Sequence, residues 1–238
     1  MKWLIFLSLT IIILLLVVIG VNYSNFSQTS GNLVQTWKTS NIPDNYKVLV
    51  NELRNLPGIN YMFFTDNSIK LFFENRAPQY LSTFLKLPFK IQQIDFFRYV
   101  VIYYYGGLYY DLDMKLIKPF DQFGNKKCIF PIEFLTNGDQ LLKKQNTQFL
   151  IGNYAFYSPP GHLFLKQIIE NIVTPVIQPK DIPEGKQAYI FYTTGPVLVT
   201  QTYINYQNKN DIELIKPFPF KPSHFGSYAE HRLMGSWK

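Results

Sequence analysis

The residues best placed to do chemistry are Asp111 and Asp113, in Tyr109-Tyr110-Asp111-Leu112-Asp113-Met114, a stretch entered through Gly106-Gly107. A strand sends alternate side chains to the same face, so both carboxylates are expected to point the same way. Two such groups side by side repel unless a cation lies between them. Oxygen ligands suit a hard cation such as Mn²⁺ or Mg²⁺, which also takes phosphate oxygens from a substrate. The pair is therefore a candidate holder for a metal-bound diphosphate. Taken alone, the same spacing also reads as a solvated turn with two acids.

The elements around the pair bear on that choice. Apolar residues at 91, 94, 97, 101 and 105 have helical spacing, which predicts a helix over 91–105 packed on a core. Asp95 and Arg98, three apart, share one of its faces; on bare sequence they are an exposed helix pair. Gly106-Gly107 ends that helix and turns the chain into a strand, 108–113, carrying the two acids.

This unit, Asp95-Phe96-Phe97-Arg98-Tyr99 followed by Tyr105-Gly106-Gly107-Leu108-Tyr109-Tyr110-Asp111-Leu112-Asp113, resembles the sugar-nucleotide-binding core of glycosyltransferase family 32. That family includes fungal initiating α-1,6-mannosyltransferases, inositolphosphoceramide mannosyltransferases and α-1,4-galactosyl and GlcNAc transferases. Further short motifs resemble the family in the same order. They are Gln35-Thr36-Trp37-Lys38, Phe64-Thr65-Asp66, Gly152-Asn153, Pro159-Pro160-Gly161-His162, Thr194-Gly195-Pro196, and His231 with Gly235-Ser236-Trp237. Two features depart from it. Leu163 stands where a proline often follows the histidine, and the chain stops one residue after Trp237, short of a C-terminal region seen in many relatives.

The resemblance implies a GT-A nucleotide-diphospho-sugar transferase fold, with Asp111, Asp113 and Arg98 as the catalytic set. It implies that Asp95 accepts bonds from ribose or sugar hydroxyls and that Arg98 steadies the transferred sugar. Asp113 would be a direct ligand of Mn²⁺ or Mg²⁺, and Asp111 would touch the ribose and the metal's water shell. His231, otherwise a surface histidine, would be a second metal ligand. Ser236 and the Trp237 indole N–H would donate to the leaving β-phosphate. Gln35 and Trp37 complete the implied donor site. Trp37 has two readings, a stacking surface for the nucleobase or core packing. The family retains anomeric configuration, which implies attack from the leaving-group face; no residue is marked as an enzymic nucleophile.

Composition narrows the class. Of 238 residues, 47% are hydrophobic and only 16% charged, which excludes a disordered chain. The net charge of +7 comes from scattered lysines. It reads as a solvated basic surface or as a mild field favouring an anionic donor or membrane face. With no basic stripe and no recognition motif, no nucleic-acid partner is expected. Cys128 is the only cysteine, which rules out an intrachain disulfide.

Trp3 to Val21 is almost wholly apolar and spans roughly 28 Å as a helix. It reads as a transmembrane signal-anchor (1–21), with a cleaved signal peptide as the other reading. Lys2 precedes it and no Lys or Arg follows until Lys38, which predicts a single-pass type II layout with the remainder in the Golgi or ER lumen. Residues 22–32 read as a short stem with sequons at Asn22 and Asn25, and 33–238 as one catalytic domain.

Within it the pattern predicts strands at 33–37, 60–65, 127–134, 147–157 and 212–215. Helices are predicted at 44–55, 66–75, 78–86, 161–173 and 196–206, with Asp66 capping the second; His162 and His224 read as surface residues. The expected activity is transfer of a hexose, mannose favoured, from GDP-mannose or a UDP-hexose to a glycan or glycolipid. The alternative is a non-catalytic, membrane-anchored sugar-nucleotide or glycan-binding protein.

Overall fold

The computed structural model of the chain describes residues 30–134, 142–143, 146–217 and 224–235. The expected membrane span, the two sequons, most of the stem, Ser236 and Trp237 lie outside the described residues. Among the described residues, no helix is long and apolar enough to cross a membrane.

Strand β1 (Gly31–Trp37) leads to helix α1 (Asp44–Arg54) and strand β2 (Ile59–Thr65). Helices α2 (Asp66–Asn75), α3 (Pro78–Lys86) and α4 (Lys90–Tyr105) follow, and then β3 (Gly107–Tyr110). β1 is parallel to both β2 and β3, in register Val34 with Met62 and Leu33 with Leu108. The second half contributes β4 (Met114–Leu116), β5 (Cys128–Phe134), β6 (Phe149–Ile151), β7 (Ala155–Ser158) and β8 (Ile212–Ile215). With them come helices α5 (Leu163–Val173), α6 (Lys186–Thr193) and α7 (Pro196–Asn205). The result is a seven-stranded mixed sheet of order β2-β1-β3-β7-β5-β6, with β8 paired to β5. A separate antiparallel sheet joins β4 to β10 (Ala229–His231) and β9 (His224–Phe225).

Helix α4 is the centre of the molecule. Its residues from Asp95 to Ile102 are all buried, so it carries no polar face. It packs on β1, β3 and β7 and against α5 and α6. Phe73 lies parallel to Phe96 with centroids 5.6 Å apart, and Phe72 meets Phe97 edge-on at 5.4 Å. Burying each such ring contributes roughly 1.5–3 kcal/mol. Asp95 and Arg98 are therefore not an exposed pair: helix contacts enclose both.

Gly106 and Gly107 end α4 with φ of +64° and +111°. A Cβ at Gly107 would collide with the Asn32 carbonyl oxygen of β1. Only glycine lets β3 approach β1 there.

Several expectations are corrected. β3 ends at Tyr110, not at 113: the Asp111 N–H makes a last bond to β7's side, to the Tyr154 carbonyl at 2.8 Å, and Met114 N–H then turns back onto Asp111 O at 3.2 Å. The two acids thus sit on a turn, and strand alternation does not explain their convergence. The expected strand 147–157 is two strands parted by Gly152-Asn153-Tyr154. Thr65, not Asp66, caps α2, in a reciprocal pair with Ser68. His162 and His224 are buried; His162 accepts the Phe164 N–H through Nδ1 and caps α5.

Candidate active site

The topology brings the ends of several elements to one edge of the sheet. β1 and β3 are parallel, so Trp37 and Asp111 emerge at their carboxyl ends, where open α/β sheets bind ligands. β7 runs antiparallel to β3, with Tyr110 opposite Ala155, which brings Asn153 and Tyr154 to the same edge. β5 is antiparallel to β7 in turn and carries Glu133 there. α4 starts at this edge and supplies Asp95 and Arg98.

These residues surround a cleft of about 390 Å³, a volume suited to a small ligand. Asp95, Arg98, Asp111, Asp113, Glu133, Asn153 and His231 line it together with apolar Ile91, Leu150, Ile190, Phe191 and Pro196.

Asp111 is held from several sides. Gln35 donates from Nε2 to the Asp111 carbonyl at 3.1 Å, while its Oε1 accepts from Tyr61 Oη at 2.9 Å. Gln35 is fully buried, so it stands behind the turn. Tyr109 Oη donates to Asp111 Oδ1 at 3.0 Å. Arg98 reaches Asp111 at 3.3 Å and Asp95 at 3.2 Å. It also donates to the Asn153 carbonyl at 2.6 Å and lies 4.5 Å above the Tyr109 ring. The Asp111 side chain keeps 27% of its surface exposed, facing the cleft.

Asp95 is enclosed by donors. Thr194 Oγ1 donates to its Oδ2 at 2.9 Å, and Asn153 Nδ2 to its Oδ1 at 3.1 Å. Burial pushes its pKa up to about 6 against the pull of Arg98, Thr194 and Asn153. Burial likewise raises Asp111, with Arg98 opposing.

Asp113 is buried at 5% exposure rather than lying at an open edge. Its Oδ2 accepts from Met234 N–H at 2.9 Å, and its Oδ1 lies 3.1 Å from His231 Nε2. Burial raises its pKa, but the His231 and Met234 bonds outweigh that and hold it below the usual carboxylate range. For His231, burial opposes the charge; the bond to Asp113 and the nearby acids overcome it and raise the pKa. His231 belongs to a strand, paired through β10 with Met114 of β4, and its ring stacks on Tyr154 at 4.7 Å.

Asp111, Asp113 and His231 offer ligand atoms within 4.8 Å of one another. Two ligands at about 2.1 Å from one cation, set at a right angle, lie about 3.0 Å apart. The 3.1 Å between Asp113 Oδ1 and His231 Nε2 has that span. Two carboxylates and one imidazole are an acceptable donor set for Mn²⁺. The residues present fit a divalent metal.

Trp37 is half-buried at the end of β1 and packs on Tyr46 at 5.1 Å, leaving part of the ring uncovered. It does not line the cleft. Cys128 is fully buried, with Sγ 3.1 Å from Ser158 Oγ, and burial raises its thiol pKa. Asn153 and Thr194 were visible only as members of short motifs. Nothing in the local sequence marks Glu133, Tyr154 or Gln187 as cleft residues; only strand order places them there.

Residues 28–130 match the family described as "Glycosyltransferase sugar-binding region containing DXD motif". Inositol phosphoceramide mannosyltransferase 3 of Schizosaccharomyces pombe is 26% identical over 195 residues, covering 80% of this chain and 49% of its own length. Inositol phosphoceramide mannosyltransferase 1 of the same organism is 27% identical over 176 residues, with 72% and 50% covered. The initiation-specific alpha-1,6-mannosyltransferase of Candida albicans is 21% identical over 222 residues, with 80% and 51% covered. The chain thus spans about half the length of the curated relatives it matches. Among solved structures, PaToxG Glycosyltransferase superposes with a TM-score of 0.47 at 18% identity, over 77% of this chain and 73% of that one.

Proposed function

We propose that this chain is a retaining, metal-dependent glycosyltransferase of the GT-A type. It moves a hexose, mannose favoured, from a nucleotide sugar to a glycan or a glycolipid such as inositol phosphoceramide. GDP-mannose is the first donor to consider and a UDP-hexose the second. Residues 3–21 anchor it as a single-pass type II protein, with the domain 33–238 in the Golgi or ER lumen.

The observation that carries the reading is the convergence of Asp111, Asp113 and His231 beside the Arg98–Asp95 pair in one cleft. Asp113 and His231 would be the metal ligands, with Asp111 beside them. Mn²⁺ or Mg²⁺, when bound there, supplies positive charge that stabilises the departing nucleoside diphosphate. Asp95 Oδ1 is taken up by Arg98 and Asn153, whereas Oδ2 accepts from Thr194 and keeps a lone pair free for a sugar hydroxyl. Arg98, fixed by Asp95, Asp111 and the Asn153 carbonyl, holds its charge towards the sugar without reorganising. Ser236 and Trp237 would donate to the β-phosphate, and Trp37 would stack on the nucleobase.

Purified protein assayed against a panel of UDP- and GDP-sugars, with and without Mn²⁺, tests the proposal. Metal-dependent release or transfer of one hexose is expected. Binding of a sugar nucleotide with no turnover of any donor would leave a non-catalytic binding protein instead.

A further inference from the structure

Four carboxylates line the cleft among the described residues: Asp95, Asp111, Asp113 and Glu133. Three are committed. Asp95 and Asp111 share Arg98, and Asp113 holds His231 and the Met234 N–H. Glu133 has no Lys, Arg or His within ion-pair distance among the described residues, and it lies outside the group able to hold a metal. Its hydrogen-bond partner is the neutral Tyr154 hydroxyl, and a carboxylate has more acceptor capacity than one donor uses, so it can take a further donor from the cleft that Leu150, Ile190 and Phe191 also line.

Its position says which further donor it can take. Glu133 stands near the end of β5, opposite Leu150 of β6 and beside Tyr154, the residue stacked on His231. This is the diphosphate side of the cleft in the glycosyltransferase reading, on which the inference rests. Retention by attack from the leaving-group face requires the acceptor hydroxyl to lie on that side of the sugar. A carboxylate without a counter-cation next to a diphosphate is repelled by it. A hydroxyl between the two separates the charges, donating to the carboxylate and keeping its oxygen lone pairs for the sugar carbon; as the new C–O bond forms and the sugar–phosphate bond breaks, its proton leaves with the diphosphate.

We propose that Glu133 is the acceptor-binding residue, accepting a hydrogen bond from the attacking hydroxyl of a polyhydroxylated ring, a sugar or an inositol. Its role is to bind and orient that hydroxyl. Residues Leu150 and Phe191 offer apolar surface to the ring's C–H face.

The test compares wild type with Glu133→Gln and Glu133→Ala, using the donor identified by the panel and two acceptors, methyl α-D-mannopyranoside and detergent-dispersed inositol phosphoceramide. Thermal unfolding of each variant reports folding. The expected result is an acceptor KM raised about ten- to a hundredfold in both variants, the loss of a hydrogen bond to a charged group. Donor KM and the half-saturating Mn²⁺ concentration are expected to move less than about twofold. An unchanged acceptor KM, or a rise in donor KM or Mn²⁺ requirement equal to that in acceptor KM, overturns the assignment and leaves the glycosyltransferase reading intact. A wild type that turns over no donor overturns that reading and this inference with it.

Discussion

Nε2 of His231 lies 3.1 Å from Oδ1 of Asp113, and this contact ties the turn after β3 to the strand β10. The same aspartate is gripped from the backbone on both sides of its side chain. Arg232 N–H donates to its carbonyl at 3.0 Å and Met234 N–H to its Oδ2 at 2.9 Å. The segment through Met234 is therefore pinned to the turn.

Asp113→Asn keeps the size of the side chain and removes the charge. Turnover is expected to fall about 10²- to 10³-fold, the range seen when one electrostatic contribution to the transition state is removed. Stability should fall by only about 1–3 kcal/mol, since Met234 N–H keeps an acceptor. Initial rates at limiting Mn²⁺, set beside urea unfolding curves, check both; wild-type turnover at limiting metal would remove Asp113 from the ligand set.

Asp95→Ala leaves Arg98 buried with Asp111 as its one remaining carboxylate partner among the described residues. Breaking one side of a buried pair costs about 3–5 kcal/mol. Chemical unfolding should show that loss, and Asp95→Asn should show less of it, because its carbonyl can still accept from Thr194 or Asn153. Equal midpoints for wild type and Asp95→Ala would mean that the pair does not hold the site.

The same residue has a pH signature. Burial raises the Asp95 pKa to about 6 in the folded protein, above its value in the unfolded chain, about 3.9. Between those values the folded state binds more protons than the unfolded state, so this group's contribution to stability falls as pH rises through the window. The curve of stability against pH for Asp95→Asn should lack that decline. If the two curves stay parallel from pH 4 to 6, the raised pKa is wrong.

Gly107→Ala and Gly161→Ala make a matched pair. Both glycines have positive φ, at +111° and +72°. An added Cβ meets the Asn32 carbonyl at Gly107 and nothing within 4 Å at Gly161. The second change should cost about 1–2 kcal/mol of backbone strain. The first adds a steric clash across β1 and β3 and should cost clearly more, with loss of activity because β3 leads directly to Asp111. Melting temperatures of the two variants decide it.

The parts of the fold that were legible in the sequence are those with local signals. α4 declares itself through apolar spacing and a Gly-Gly stop, and α2, α3 and β1 were placed within two residues. β9 and β10 are two and three residues long, too short for any alternation to register, and exist because β10 pairs with β4 and β9 with β10. α6 was missed because Lys186–Thr193 lacks a side-chain cap and is rich in β-branched and aromatic residues, weak helix formers placed by packing on α4 and α7. At the site, Asp111 and Asp113 converge through a turn built by Tyr154 and Met114, contacts that no spacing rule contains. The burial of Asp95 and Arg98 has the same origin: helix periodicity gives one buried stripe, whereas α4 is covered on every side.

The pairing of β10 with β4 has a kinetic meaning. Met114 and His231 are distant in sequence, so the contact closes a large loop and is slow to find. Until it forms, the two acids exist without the imidazole. Any ligand that needs all three groups binds only the completed fold, and by mass action its binding free energy is added to the docking of that last strand. Affinity for such a ligand would double as a folding checkpoint: a chain whose β10 has not docked would announce itself by failing to bind.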